Sequence, residues 1–236
     1  MKVIIAKDYA ELSSLAADLV GGVVKAKPDC LIGLATGSSP VGLYKELARR
    51  CDAGELDFSK VRTVNLDEYV GLKPDHPQSY RYFMDDNLFN HINIDKKNTA
   101  VPDGLCKDPA AFGLAYDEKI EKMGGIDVQV LGIGPDGHIG FNEPADALQA
   151  HTHEEAITES TIDANARFFE KREDVPRTAI TMGMYPIMNA KKIVLVANGK
   201  KKKKILFDAI EGGITTQNPA SFLQLHPDVT VIYTEE

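Results

Sequence analysis

Seven short runs of apolar and β-branched residues recur along the chain, at positions 3–6, 30–35, 61–66, 128–133, 178–182, 193–197 and 229–233. They are near-continuous rather than alternating, the pattern of strands buried on both faces. Segments of helical periodicity separate them. Leu12, Leu15, Ala16, Leu19, Val20, Val23 and Val24 share one helix face. Asp8 and Glu11 supply a capping box before that helix. Ser39-Pro40 reads as an N-cap followed by a first-turn proline, and Asp108-Pro109 does the same before Phe112, Tyr116, Ile120 and Met123. Repeated strand–helix units predict an α/β fold: an open, mostly parallel, Rossmann-like sheet with helices on both faces. No internal repeat or long linker interrupts residues 1–236, so a single α/β domain is expected. Residues 145–176 break the rhythm. They are polar and acidic, with His151, His153, Glu154, Glu155 and Glu159, and suit either a lid-like insertion or an ordinary surface excursion.

Composition narrows the function. The chain of 236 residues is 43% hydrophobic and carries a formal charge of −8. The hydrophobic share is enough for a core. The acidic balance opposes general nucleic-acid binding, which needs clustered cations, but leaves room for one small phosphate. Cys30, Cys51 and Cys106 form no CxxC pair, so neither a disulfide framework nor a cysteine zinc site is expected. No run approaches a membrane span, and the first residues do not read as a signal peptide. The expectation is a cytoplasmic protein with no membrane partner.

In open parallel sheets ligands bind beyond the C-terminal ends of strands. Thr36-Gly37-Ser38 follows the second run. Small residues and free N–H groups there suit an anion, although a plain strand–helix turn explains them equally. Asp67-Glu68 follows the third run. The pair offers proton transfer, but by pattern alone reads as a solvated loop. The richest segment is Gly134-Pro135-Asp136-Gly137-His138-Ile139-Gly140-Phe141-Asn142-Glu143-Pro144. A histidine flanked by two carboxylates in a glycine-rich loop suits acid–base work, because a carboxylate sets the tautomer and basicity of an imidazole. Gly132 to Gly137 formally match a dinucleotide fingerprint. Asp136 would repel a pyrophosphate there and Pro135 removes a donor, so no nucleotide is expected. Arg167 beside aromatic residues, and one lysine of Lys200 to Lys204, suit phosphate. His151-x-His153 lacks a third ligand at a telling spacing and reads as surface, so no metal is expected.

Several of these segments resemble the glucosamine-6-phosphate deaminases. They are Asn65-Leu66-Asp67-Glu68-Tyr69-Val70-Gly71-Leu72, His76-Pro77-Gln78-Ser79-Tyr80, residues 136–144, Ala166-Arg167-Phe168-Phe169 and Leu223-Gln224-Leu225-His226-Pro227. The Asp-Gly-His core also resembles the 6-phosphogluconolactonases. The Asn-Glu-Pro ending and the Asp-Glu-Tyr-Val-Gly-Leu run are deaminase-like. The resemblance implies cofactor-free conversion of glucosamine 6-phosphate and water to fructose 6-phosphate and ammonia. It implies Asp67 as the base between C2 and C1, and His138 as the ring-opening group, tuned by Asp136 and Glu143. It further implies Thr36, Gly37, Ser38, Arg167 and Lys202 as the phosphate site, Lys202 from a Gly-x-x-Lys spacing counted from Gly199.

Longer members of that family carry a C-terminal extension and a basic patch serving activation by N-acetylglucosamine 6-phosphate. The sequence ends at Glu236 and has His151-Thr152-His153-Glu154-Glu155 in the patch region. No such activation and a monomer or small homo-oligomer are therefore expected. The competing readings are a 6-phosphogluconolactonase-type hydrolase and a sugar-phosphate sensor without turnover. Glu143 argues against the first, and the intact Asp67, His138 and Glu143 against the second.

Overall fold

The structure is a computed structural model that describes the backbone of residues 1–236 and the side chains of all but Ala164 and Phe168. The main sheet contains β1 (Lys2–Ile5), β2 (Leu31–Leu34), β3 (Arg62–Asn65), β5 (Thr99–Ala100), β6 (Val128–Leu131), β9 (Ile193–Asn198) and β10 (Val229–Thr234). Its order is β1-β10-β9-β6-β2-β3-β5, and every pairing is parallel. A second, antiparallel sheet has the order β4-β8-β7, from β4 (Asp67–Tyr69), β7 (His153–Ala156) and β8 (Thr178–Thr181).

Two expectations need correction. The run at 178–182 is not in the parallel sheet. It becomes β8, because its partners β4 and β7 run antiparallel to it. The first run is not buried on both faces either. As an edge strand, β1 leaves Val3 43% and Ile5 60% exposed. The interior strands do follow the pattern: β2, β6 and β10 are buried throughout.

The helices are α1 (Tyr9–Ala26), α2 (Val41–Asp52), α3 (Tyr80–Asn87), α4 (Pro109–Lys122), α5 (Glu159–Asn165), α6 (Met184–Met188) and α7 (Lys203–Glu211). Apolar clusters cover both faces of the main sheet. Helices α1, α2 and α3 pack on Ile32, Leu34, Val128 and Val130, while α4, α6 and α7 pack on Leu31, Leu131, Leu195 and Val231. The first helix shows how sequence sets this. Asp8 accepts the Glu11 N–H at 2.8 Å, and Glu11 accepts the Lys7 N–H at 2.7 Å. Leu12, Ala16, Val20 and Val24 then bury one stripe, with about 1.5–3 kcal/mol for each large aliphatic side chain removed from water. The helix ends at Lys27, in extended conformation before Pro28.

One tight contact sits at the sheet centre. A Cβ on Gly33 would lie 1.9 Å from Gln129 Oε1, and Gln129 is fully buried with its amide donating to Val130 O at 2.8 Å. Gly33→Ala is therefore expected to destabilise the fold by roughly 1–3 kcal/mol through overpacking. Urea unfolding measures this, and an unchanged midpoint refutes it.

The chain order reverses between β2 and β6. From β2 it proceeds outward to β3 and β5, and from β6 outward to β9 and β10. Such a switch point opens a crevice beyond the strand ends, and the loops after β2 and β6 meet there.

Candidate active site

A cavity of about 410 Å3 occupies that crevice. Thr36, Gly37, Ser38 and Ser39 line it from the loop after β2, and Gly134, His138, Gly140 and Phe141 from the loop after β6. Asp67 and Tyr80 form another wall, and Thr161, Asn165, Arg167, Lys201 and Lys202 close the rest. Asp136 and Glu143 stand behind His138 and reach the cavity through its ring.

The loop after β2 is fixed by Tyr9. Its hydroxyl donates toward the Ser38 and Ser39 carbonyls, both at 3.0 Å, and accepts the Gly42 N–H at 2.8 Å. Ser39 does not cap α2 as its position suggested. Its hydroxyl donates to Asn198 Oδ1 at 2.7 Å and receives Lys202 Nζ at 3.4 Å, so it serves the cavity wall. Gly37 has φ +92°, a conformation that favours glycine.

Asp67 and Glu68 are not a solvated loop. They open β4, 5% and 2% exposed. Glu68 takes N–H groups from Tyr69, Tyr80 and Arg81 at 2.8–2.9 Å, which fixes the start of α3. Asp67 turns to the cavity instead, and its Oδ1 has no hydrogen-bond partner among the described residues. Burial, reinforced by the neighbouring Glu68 charge and only partly offset by His138, pushes its pKa up to about 8. A carboxyl in that state is a strong enough base to take a carbon-bound proton.

The loop after β6 folds back on itself, with Gly134 N–H donating to His138 O at 2.9 Å. Its end is held by Asn142, whose amide donates to Ile139 O and Met182 O at 2.9 and 2.8 Å. The His138 ring lies against Gly134, where a Cβ would meet Cε1 at 2.2 Å. His138 Nδ1 stands 2.8 Å from Asp136 Oδ1 and 3.3 Å from Glu143 Oε2. These are ion-pair approaches shared by one N–H rather than two aligned hydrogen bonds. Burial alone would lower the imidazole pKa, but the two carboxylates outweigh it and hold it at about 9. Burial likewise works against the Asp136 charge, and the imidazolium outweighs it, holding that carboxyl well below the usual range. With Nδ1 committed, Nε2 is the nitrogen left for a ligand. Asp136, His138 and Glu143 are also the one described group of such side chains close enough to share an ion. The shared N–H makes them one coupled ionic group.

Arg167 lies in the 3-10 turn Ala166–Phe168 that follows α5. Lys202 ends the turn Lys200–Lys202 after β9. Burial first, and then the Arg167 charge, lower the Lys202 pKa, so two cations face one end of the cavity. Within the lysine run, Lys203 pairs with Glu235 and Lys204 with Asp208, whereas Lys201 and Lys202 reach the cavity. The segment 145–176 thus contributes β7 to the second sheet, and α5 with Arg167 to the site. Away from the site, His151 pairs with Asp117 and His153 with Glu155, each committed to a local contact.

Residue pattern alone assigned no role to Tyr80, Thr161 or Asn165. Tyr80 stacks on Phe141 at 6.1 Å, a contact between residues far apart in the chain. Thr161 donates to Glu143 Oε1 at 2.7 Å across 18 positions. The one signal available was the resemblance of the segment containing Ser79-Tyr80, which carried no contact information.

Known proteins share this fold. The glucosamine-6-phosphate deaminase of Clostridium perfringens is 55% identical over 236 residues, covering 100% of this chain and 98% of its own. A solved structure of a monomeric glucosamine-6-phosphate deaminase superposes with TM-score 0.97 at 42% identity, covering 100% of this chain and 98% of the other. The 6-phosphogluconolactonase of Trypanosoma cruzi superposes with TM-score 0.78 at 21% identity, covering 100% and 94%, which speaks to the fold alone. Glucosamine-6-phosphate isomerases/6-phosphogluconolactonases match residues 7–232, and the chain belongs to this family.

Proposed function

We propose that the protein is an isomerising deaminase converting glucosamine 6-phosphate and water to fructose 6-phosphate and ammonia. One observation carries the reading: a buried, unpaired carboxylate of raised pKa shares a cavity with a histidine held charged by two carboxylates. The similarity of the full chain to deaminases supports it. The cationic end, Arg167 and Lys202 with Thr36, Gly37 and Ser38, takes the phosphate. Lys202 is a charge that burial disfavours, and a phosphate dianion relieves that cost.

The residues then divide the proton work. His138 Nε2–H protonates the ring oxygen and the neutral Nε2 then takes up the O1 proton, which opens the pyranose and restores the imidazolium. Asp136 and Glu143 stabilise the imidazolium from the Nδ1 side. Asp67 removes the C2 proton and returns it to C1 of the enolamine, which leaves an imine at C2. Water adds to that carbon and ammonia departs. No electrons are exchanged overall, so the scheme calls for no redox carrier. We further infer a monomer or small homo-oligomer. Glu154 and Glu155 would repel an effector phosphate, so saturation should stay hyperbolic with N-acetylglucosamine 6-phosphate present.

Purified protein given glucosamine 6-phosphate should release ammonia and fructose 6-phosphate in equal amounts. Hydrolysis of 6-phosphogluconolactone without ammonia would install a lactonase, and binding without either reaction a sensor. The pH dependence is equally specific. Asp67 must be ionised, so activity rises with pH through about 8. His138 must be protonated, so activity falls above about 9. A narrow bell in kcat/KM with these limbs is expected. A rate that is flat from about pH 6 to about pH 10 contradicts both assignments.

A further inference from the structure

The scheme gives no part to the buried hydroxyl of Thr161. Thr161, on α5, is 3% exposed and donates to Glu143 Oε1 at 2.7 Å. The other oxygen, Oε2, faces His138 Nδ1 at 3.3 Å. Thr161 is itself aimed. The Thr158 hydroxyl donates to Thr161 Oγ1 at 3.1 Å. A hydroxyl has a single hydrogen, so with one lone pair filled by Thr158, the Thr161 hydrogen points at the carboxylate. Thr158 is also the N-cap of α5 and accepts the Thr161 N–H. The first turn of this helix is organised around a carboxylate that belongs to a different loop.

The same helix runs directly into the turn carrying Arg167. One short element therefore holds a cation at the cationic end of the cavity and a hydroxyl at the far side of the histidine triad. The groups that set the His138 charge are Asp136 and Glu143 from its own loop and Asp67 from β4. The cations Arg167, Lys201 and Lys202 stand on the cavity wall.

We propose that Thr161 is a positioning residue: its hydroxyl fixes the Glu143 carboxylate against His138 and ties that pair to the helix carrying Arg167. A carboxylate turns freely about its last side-chain bond unless both oxygens are engaged. Thr161 engages one, which leaves the other at the imidazole. A phosphate held by Arg167 restrains the helix and, through Thr161, the geometry of the ring-opening group. The kinetic consequence rests on the deaminase reading, while the contact itself does not.

Thr161→Val keeps the shape and removes the hydrogen, and Thr161→Ser keeps the hydroxyl. In Thr161→Val, Oε1 would face a methyl group. An anionic oxygen in that setting is costly, so the carboxylate turns away from the imidazole. In histidine-labelled protein followed by nitrogen NMR, the His138 midpoint of about 9 should fall by about one unit in Thr161→Val and stay put in Thr161→Ser. Ammonia release should drop about tenfold in kcat in the valine variant, with KM within about twofold. His226, buried and bonded to Ala190 O at 2.6 Å, reports on folding in the same spectrum. If Thr161→Val does not fold, Thr161→Ala removes the same hydroxyl. A midpoint that stays or rises in the valine variant, or shifts equally in the serine variant, overturns the proposal. If the unaltered protein releases no ammonia, the deaminase reading fails, and the titration still decides the role of Thr161.

Discussion

Asp67→Asn is expected to lower kcat for ammonia release by about 10^2–10^4-fold, the usual contribution of a positioned general base. Binding of the phosphosugar should change little, because the cationic end lies elsewhere in the cavity. The surroundings of the side chain set the size of this loss. It is buried, its Oδ1 is unpaired, and its pKa stands at about 8, so the carboxylate, once ionised, is neither paired nor solvated. An amide fits the space but has no basicity. Activity near that of the unaltered protein would move the base elsewhere.

The same substitution has a second signature. The ordinary value of 3.8 rises to about 8 in the folded state, so folding favours the protonated acid. That contribution is complete below the unfolded pKa and disappears as pH rises through the folded one. Asparagine cannot ionise. The Tm of the variant should therefore fall less than that of the parent protein between about pH 5 and about pH 9. Equal slopes for the two proteins would show that Asp67 is not the titrating group.

Gly134→Ala is expected to cost on the order of 10^2-fold in turnover without unfolding the protein. A Cβ there would meet Cε1, Nδ1 and Nε2 of His138 at 2.2–2.4 Å, so the ring must move. It is held from behind by Asp136 and Glu143, and displacement breaks one contact or the other. Gly134 does not have a positive φ, unlike Gly137 at +93°. Alanine therefore adds no backbone strain, and the loss reports on ring position alone. A fully active Gly134→Ala protein would mean that the imidazole tolerates another place and that its seat is not set by this glycine.

The parallel sheet was legible because β2, β6, β9 and β10 are near-continuous apolar and β-branched runs, the pattern of strands covered on both faces. β5 was not legible: Thr99–Ala100 is too short to carry a pattern. β7 was hidden because His153 to Ala156 alternates partly buried and exposed residues without an apolar stripe. The run at 178–182 was visible as a strand but not as a member of the second sheet, since partner choice is set by chain direction in space. The histidine triad could be read because its members lie within eight positions. The Asp67 wall of the cavity could be named only through resemblance, because burial, not residue type, raises its basicity. Ser39 misled for a similar reason. Its place before Pro40 is that of a cap, yet Asn198, 159 positions away, takes its hydroxyl.

Leu66 is a single residue between β3 and β4. Its N–H donates to Leu34 O in the parallel sheet at 3.0 Å, and its carbonyl accepts Met182 N–H beside the antiparallel one at 2.7 Å. The two sheets are thus riveted through one residue immediately before Asp67. The backbone that carries Asp67 cannot drift unless a ladder on one side or the other lets go. In the proposed scheme the atomic rearrangement consequently falls on the sugar, which must swing its C1 and C2 past a base whose backbone is fixed.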